Sequence, residues 1–258
     1  MPVLETNGET IHYLKQGNGP VLVLVHSLGS NAKLWQPQID ALQDRYTVIA
    51  MDARGHGGSS AKGDVTVDAA ARDLGALLSH LGVKSCDLIG VSTGGPIALT
   101  VAAEHPYLVR ALVLADTYAT PPEGSKGLVE ATAEAIAYVS MTEFGRQYAA
   151  ETLLWSTSLD VQDELAASIA AIDPKVYIKM MRSVLLGDFT AKLAAVRAQT
   201  LVLIGDGDTT APRPCSEALV AGIANAKLEV VTDAGHLCCI DNPLAFNSAL
   251  VNFIEAAR

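Results

Sequence analysis

A serine between glycines is the first feature of the sequence that could do chemistry. Gly90, Ser92 and Gly94 form a Gly-x-Ser-x-Gly pattern directly after the apolar pair Leu88-Ile89. Glycines let backbone segments pass where a Cβ would clash, so a serine can stand exposed on a sharp turn between a strand and a helix. Such a hydroxyl can attack a carbonyl carbon once its proton is removed. The alternative interpretation is an ordinary serine cap at a helix start.

A serine nucleophile needs a base, and histidine is the usual one. His236 directly follows the last predicted strand, in Asp233-Ala234-Gly235-His236. Residues at the carboxyl ends of parallel strands commonly form the site of such a sheet, so we predict that His236 is the base. The alternative is a buried, hydrogen-bonded loop histidine. His26 follows another buried strand, and we expect it to shape the substrate site.

The base in turn needs a carboxylate that fixes its tautomer and stabilises the imidazolium. Asp206 and Asp208 follow the apolar run 201–204, and either could serve, while turn chemistry explains at least one of them. Asp116, which follows another strand, is the reserve candidate.

Attack on a carbonyl also creates an oxyanion, which needs N–H donors that are already in place. The backbone N–H of Thr93, the residue after the serine, is the first candidate donor. We expect the second donor to come from the loop 26–30, which follows a strand.

Strand-like runs alternate with helical periodicity along most of the chain. We predict strands at residues 9–14, 21–25, 46–51, 86–91, 110–115, 201–205 and 227–232. We predict helices at residues 31–45, 66–81, 95–104, 216–223 and 243–257. This alternation predicts an α/β fold with a mostly parallel sheet and helices on both faces. The candidate residues all follow strands, so the carboxyl edge of the sheet would bring them together.

Strand signals cease between residues 121 and 190, where only helical periodicity remains. We therefore predict a core domain of residues 1–120 and 191–258, with 121–190 inserted as a helical cap. Trp155, Arg146 and Arg182 are candidate substrate contacts in that cap, and the two arginines could hold a substrate carboxylate. The alternative for each arginine is a solvated position on a cap helix.

Composition excludes several function classes. The formal net charge is −10, which opposes binding to a phosphate backbone, and we predict no nucleic-acid binding. The strongest apolar run, 21–25, falls far short of the ~20 residues that a membrane span needs. The start of the chain does not look like a signal peptide, and the four cysteines are read as free thiols, so we predict a cytoplasmic protein. No His/Cys spacing typical of a metal site is present, and no cofactor or metal is implied.

Taken together, these motifs resemble the α/β-hydrolase superfamily over nearly the whole chain. His26-Ser27-Leu28-Gly29 resembles the family's His-Gly-x oxyanion loop, with Ser27 in place of the usual glycine, and this alignment implies Leu28 as the second N–H donor. Gly205-x-x-Asp208 resembles the family's acid motif, which favours Asp208 over Asp206. The chain order Ser92, Asp208, His236 is the family's order.

Within the superfamily, residues 25–38 resemble the 3-oxoadipate enol-lactonase group. The resemblance implies a cofactor-free hydrolase that cleaves a small ester or lactone through an acyl-enzyme. Three alternatives stay open: hydrolysis of a C–C bond, perhydrolysis on the same triad, and a small-molecule receptor of this fold.

Overall fold

An eight-stranded sheet forms the centre of the protein. The structure, a computed structural model, describes residues 2–258. The strands in chain order are β1 (Val3–Thr6), β2 (Glu9–Gln16), β3 (Val21–Val25), β4 (Thr47–Met51), β5 (Cys86–Val91), β6 (Val109–Ala115), β7 (Gln199–Gly205) and β8 (Ala226–Val231). Their order across the sheet is β1-β2-β4-β3-β5-β6-β7-β8. The pairs β1/β2 and β2/β4 are antiparallel and all the others are parallel, which confirms the predicted mostly parallel sheet.

Helices fill most of the connections. They are α1 (Gln36–Leu42), α2 (Val67–His80), α3 (Gly94–Glu104), α4 (Ser125–Tyr138), α5 (Met141–Thr152), α6 (Leu159–Ala170), α7 (Pro174–Leu185), α8 (Thr190–Leu193), α9 (Arg213–Gly222), α10 (Cys238–Asp241) and α11 (Pro243–Ala256). Helices α4 to α8 all lie between β6 and β7, and α4 to α7 fall within the stretch 121–190 where the sequence shows no strand pattern.

The central strands are buried because their side chains are apolar on both faces. Residues Leu22–Val25 of β3 and all six residues of β5 are buried, as expected for parallel strands covered on both sides. Helix α3 is buried from Gly94 to Ala102. A helix that is apolar all round belongs inside the protein, and this burial holds the first turn of α3 firmly behind the end of β5.

The N-terminal edge of the sheet differs from the prediction. Residues 9–14 were expected to form an edge strand, but β1 pairs with β2 and covers that edge. Asn7 and Gly8 connect the two strands, with φ of 50° and 78°. Two consecutive positive φ values are typical of a type I′ hairpin turn, for which Asn-Gly is a favoured sequence.

The helix predicted at 31–45 is also interrupted. A short 3-10 turn spans Ala32–Trp35, and α1 begins only at Gln36. Pro37 lies in the first turn of α1, where its missing N–H costs no helical hydrogen bond. The proline therefore marks the start of a helix, and a single helix from 31 to 45 was wrong. None of the helices in residues 2–258 is long and apolar enough to cross a membrane.

Candidate active site

The turn between β5 and α3 presents Ser92 at the carboxyl edge of the sheet. Ser92 has φ of 51°, a left-handed conformation that is costly for a residue with a side chain. Glycines make the turn possible, because a Cβ on Gly90 would lie 2.2 Å from the carbonyl oxygen of Gly94. A Cβ on Gly94 would lie 2.1 Å from the carbonyl oxygen of Val25. The two flanking glycines of the motif are thus required by close backbone contact.

Three side chains from distant parts of the sequence form one chain of hydrogen bonds. The Oγ of Ser92 lies 2.9 Å from Nε2 of His236. The Nδ1 of His236 lies 3.0 Å and 3.1 Å from the two carboxylate oxygens of Asp208. A carboxylate beside Nδ1 holds the imidazole proton on that nitrogen, which leaves the lone pair of Nε2 to accept from the serine hydroxyl.

The charge of Asp208 controls the proton affinity of His236. Burial alone would lower the pKa of His236, but the hydrogen bond and charge of Asp208 outweigh it and raise this pKa above its ordinary value. Burial would raise the pKa of Asp208, yet His236 and the N–H groups of Ala211 and Thr210 stabilise the carboxylate and lower it. The imidazolium form is therefore stabilised by an adjacent, ionised carboxylate, as proton transfer from a serine requires.

The other two aspartates that the sequence offered as the carboxylate partner of His236 bind backbone N–H groups instead. Asp206 accepts hydrogen bonds from the N–H groups of Asp233 and Ala234, each at 3.2 Å. Asp116 is fully buried and accepts from the N–H groups of Gly205 at 2.8 Å and Cys238 at 2.9 Å. Asp208 is the one of the three whose carboxylate reaches His236.

Asp116 nevertheless links the two loops that carry the acid and the histidine. Gly205 ends β7 just before Asp208, and Cys238 follows His236 by two residues, so a single carboxylate holds both loops. Burial raises the pKa of Asp116 to about 7, although the nearby His236 lowers it.

The backbone N–H groups of Leu28 and Thr93 are the predicted oxyanion donors. Within residues 2–258, neither N–H donates to another protein group. Leu28, Thr93, Ser92 and His236 all line one cavity of about 510 Å³. Two residues that line the cavity of Ser92 thus have N–H groups without a protein partner, which is what a developing negative charge on a carbonyl oxygen needs.

Helices α4, α5 and α7 supply most of the remaining walls of this cavity. Each contributes a stripe of side chains spaced three or four residues apart, which is one face of a helix. The stripes are Leu128, Ala131, Thr132 and Ala135 on α4, Phe144, Gln147, Tyr148, Glu151 and Thr152 on α5, and Tyr177, Met181, Val184 and Leu185 on α7. Tyr118, Thr209 and Thr210 complete the lining from the loops that follow β6 and β7.

The four predicted substrate contacts do not line this cavity. Trp155 follows the end of α5 and is 93% exposed. Arg146 lies on α5 outside the stripe that faces the cavity, and Arg182 lines a separate depression with Lys179 and Asp64. The sequence shows which residues lie on a helix but not which face turns inward, and a role for these side chains in substrate binding stays a prediction.

His26, the fourth predicted substrate contact, is buried and forms hydrogen bonds to two backbone segments. Its Nδ1 lies 2.7 Å from the carbonyl oxygen of Ser27, and its Nε2 accepts from the N–H of Ala53 at 2.9 Å. Both ring nitrogens are therefore occupied by backbone, and the ring joins the loop of Leu28 to the loop that follows β4. The ring of His56 lies 5.2 Å from that of His26.

Because His26 and His56 are neutral in the folded protein, we expect the stability of the fold to decrease in acid. Burial lowers the pKa of His26 to about 4, and burial with the neighbouring His26 lowers that of His56 to about 3. An unfolded histidine takes up its proton near pH 6.5, whereas these two stay neutral in the folded state, so their contribution to stability is lost as pH falls from 6.5 towards 4. Each should add about 1.4 kcal/mol per pH unit to the slope of unfolding free energy against pH in that window.

Urea unfolding between pH 7.5 and 4.5 checks this expectation in wild type and His56→Gln. The variant should show a slope lower by about 1.4 kcal/mol per pH unit below pH 6.5. Exposed His80 provides the matched control, since His80→Gln should keep the wild-type slope. Equal slopes in wild type and His56→Gln would show that His56 is not held neutral by the fold.

Sequence reasoning also missed a residue that joins the helical segment to the histidine loop. Asp241 accepts from the N–H of Gly235 at 2.8 Å, immediately before His236. Its other oxygen accepts from the N–H of Leu154 at 3.2 Å and from the hydroxyl of Thr157. The sequence shows only that an acidic residue follows His236 by five positions, which gives no information about the contact with 154–157.

No group of three or more His, Cys, Asp or Glu side chains in residues 2–258 is arranged to hold a metal ion. The cysteines in the same range are unpaired, and Cys238 and Cys239 are buried beside the histidine loop. Burial raises the pKa of both thiols well above the ordinary value. The two thiols are therefore neutral packing groups.

Comparison with known proteins identifies the family. The model of the α/β hydrolase fold family matches residues 20–176, so the chain belongs to this family. It is 28% identical over 242 residues to 3-oxoadipate enol-lactonase 2 of Acinetobacter baylyi, covering 91% of this chain and 88% of that protein.

Two further matches extend over nearly the whole chain. A Variovorax paradoxus protein provisionally named carbamate hydrolase RutD is 30% identical over 258 residues, covering 95% of this chain and 96% of that protein. The solved structure of a thermophilic esterase from Thermogutta terrifontis superimposes with a TM-score of 0.88 at 26% identity, covering 98% of this chain and 96% of the esterase. The predicted resemblance to α/β hydrolases and enol-lactonases is confirmed.

Proposed function

We propose that the protein is a serine hydrolase that cleaves carboxylic esters or lactones through an acyl-enzyme. The observation that carries this proposal is the continuous hydrogen-bonded chain from Ser92 through His236 to Asp208. Ser92 and His236 line one cavity together with Leu28 and Thr93, whose N–H groups have no protein partner. In this assignment Ser92 is the nucleophile, His236 the base and Asp208 the acid. The N–H groups of Leu28 and Thr93 form the oxyanion hole.

The first half of the reaction forms the acyl-enzyme. Ser92 Oγ attacks the carbonyl carbon while its proton passes to Nε2 of His236. The carbonyl oxygen becomes an oxyanion and accepts from the N–H groups of Thr93 and Leu28. When the intermediate collapses, the bond to the leaving alkoxide or enolate breaks and that oxygen takes the proton from His236. In a lactone the released oxygen remains part of the acyl group.

The second half releases the acid. His236 takes a proton from water, the resulting hydroxide attacks the acyl carbon, and the same N–H groups hold the second oxyanion. The bond to Ser92 Oγ then breaks and the serine regains a proton from His236. Each step uses groups of this chain and water.

The helical segment 121–190 covers this chemistry in our proposal. Stripes from α4, α5 and α7 form most of the cavity wall, so they define the space for the acyl and alcohol groups. Asp241 joins the 154–157 loop of this segment to the histidine loop. The relatives named above act on lactones, esters and, by provisional name, carbamates, and all three substrate types present a carbonyl to a serine in the same way.

A phosphonate ester tests the proposal because phosphorus traps an activated serine. Treatment with a p-nitrophenyl alkylphosphonate should release one p-nitrophenolate per chain. Hydrolysis of p-nitrophenyl butyrate should fall in proportion to that release and stop when the release is complete. Hydrolysis that persists after complete treatment would contradict the proposal. C–C hydrolysis or perhydrolysis would instead appear as turnover of a diketone or of peroxide with little ester hydrolysis.

A further inference from the structure

The cavity beside Ser92 contains no side chain that could balance a negative charge on the substrate. Of its twenty lining residues, all within 2–258, none is lysine or arginine. The ionisable acid and base side chains among them are Glu151 and His236, and His236 already has Asp208 as its partner. A carboxylate that enters the cavity would therefore lose hydration without gaining a cation, which is costly.

The basic side chains of α5 and α7 lie outside the cavity lining. On α5, Phe144 and Tyr148 are half-buried in the cavity wall and Glu151 lies at its exposed rim, whereas Arg146 is exposed outside the lining. On α7, Lys179 and Arg182 are likewise exposed outside the cavity-lining stripe, and both line the separate depression near α2. The helical phase of α5 and α7 thus keeps Arg146, Lys179 and Arg182 out of the cavity lining.

Glu151 places a negative charge at the exposed rim of the cavity, where a substrate carboxylate would need a positive one. Its carboxylate accepts from the side-chain amide of Gln147 at 2.9 Å, one helical turn earlier, and both residues line the cavity. Behind the serine, the ionised Asp208 contributes a further negative charge. The net charge of −10 points the same way for the whole protein.

The other polar groups of the cavity suit uncharged oxygen atoms. Tyr118, Tyr148 and Tyr177 line the wall, and burial raises the pKa of all three hydroxyls. They remain protonated and neutral, so they can donate to a carbonyl, ether or hydroxyl oxygen. Neutral hydroxyls do not replace the cation that a desolvated carboxylate needs.

We propose that the site selects uncharged esters and lactones against substrates that carry a carboxylate, and that Glu151 is a determinant of this selection. This inference rests on the proposed serine-hydrolase function. One of the two carboxyl groups of 3-oxoadipate closes the ring of its enol-lactone, so the other stays free as an anion. The substrate class of this chain therefore differs from that named for the Acinetobacter baylyi relative.

Two p-nitrophenyl esters of matched shape and different charge test the proposal, each rate being corrected for hydrolysis without enzyme because the glutarate carboxylate can attack its own ester carbonyl. The mono-ester of glutarate ends in a carboxylate, and the ester of glutaramic acid ends in an amide of the same shape. At pH 8 the wild-type kcat/KM should be about 100-fold higher for the glutaramate ester, because the cavity does not compensate a buried carboxylate.

Variants on α5 identify the contribution of Glu151. Glu151→Gln should reduce the ratio of the two kcat/KM values by about three- to tenfold, mainly through a lower KM for the glutarate ester. Glu143 lies on the same helix, is exposed and does not line the cavity, so Glu143→Gln makes the same change in net charge without changing the ratio.

The possible outcomes separate this inference from the proposed function. Equal or better hydrolysis of the glutarate ester would overturn the charge selection while leaving the hydrolase in place. An equal effect of Glu151→Gln and Glu143→Gln, or no effect of Glu151→Gln, would overturn the role of Glu151. If the wild type hydrolyses neither ester, the proposed function itself fails.

Discussion

Ser92→Ala should reduce kcat/KM for p-nitrophenyl butyrate by about 10⁴- to 10⁶-fold, the range measured when the nucleophile of other serine hydrolases is removed. The change removes the hydroxyl oxygen that is hydrogen-bonded to Nε2 of His236 and leaves the backbone turn unchanged. Both serine and alanine carry a Cβ, so the strain of the positive φ at this position stays the same. Residual activity would come from the N–H donors and from substrate binding alone.

The fold of this variant must be intact for the loss to be informative. Its thermal unfolding midpoint should therefore match that of wild type within a few degrees. Ser216 provides a matched control, because it is a fully buried serine on α9 that does not line the cavity. Ser216→Ala should keep wild-type activity. Full hydrolysis by folded Ser92→Ala would refute the assignment of the nucleophile.

The second large effect is expected from Asp208→Asn, about 10⁴-fold in kcat, as found for the equivalent change in another serine hydrolase. An amide is uncharged and can present an N–H to Nδ1 of His236, which would move the imidazole proton to Nε2. The imidazole would then face Ser92 with a donor and could not accept the serine proton. The lost negative charge would also remove the main stabilisation of the imidazolium.

The pH profile distinguishes this explanation from a general loss of structure. His236 acts as a base only when neutral, and Asp208 raises its pKa above 6.5, so wild-type kcat/KM should rise with pH through a value above 6.5. In Asp208→Asn this acid limb should move to lower pH, because burial then lowers the pKa of the histidine without opposition from the carboxylate.

Asp206→Asn is the matched control for this variant. Asp206 lies two residues away and accepts from backbone N–H groups rather than from His236. Its replacement should change kcat less than tenfold and leave the acid limb in place. A larger loss of kcat in Asp206→Asn than in Asp208→Asn would show that Asp206, and not Asp208, is the acid of the triad.

The parts of the fold that the sequence predicts correctly are those with a single physical solution. The run Val21–Val25 is apolar on both faces, which fits a covered parallel strand, and the same holds for β5. Because parallel strands end at one edge, residues that follow β5, β7 and β8 could be expected to meet there. Ser92, Asp208 and His236 do lie together at that edge.

Other features depended on information that local patterns do not carry. The choice of Asp208 over Asp206 came from family resemblance, since both follow the same strand. The first strand was missed although Asn7-Gly8 is a strong hairpin signal, because the burial of Val3–Thr6 alternates only between exposed and partly exposed. Periodicity placed Arg146 and Arg182 on helices correctly, but tertiary packing alone determines which side of α5 and α7 faces the cavity.

The location of the phosphonate adduct shows directly whether Ser92 is the nucleophile. Wild-type protein treated with the p-nitrophenyl alkylphosphonate should gain the mass of one phosphonyl group, and peptide mapping by mass spectrometry should place it on Ser92 alone. An adduct on any other residue, or an unmodified Ser92 in protein whose esterase activity has been fully blocked, would show that Ser92 is not the nucleophile.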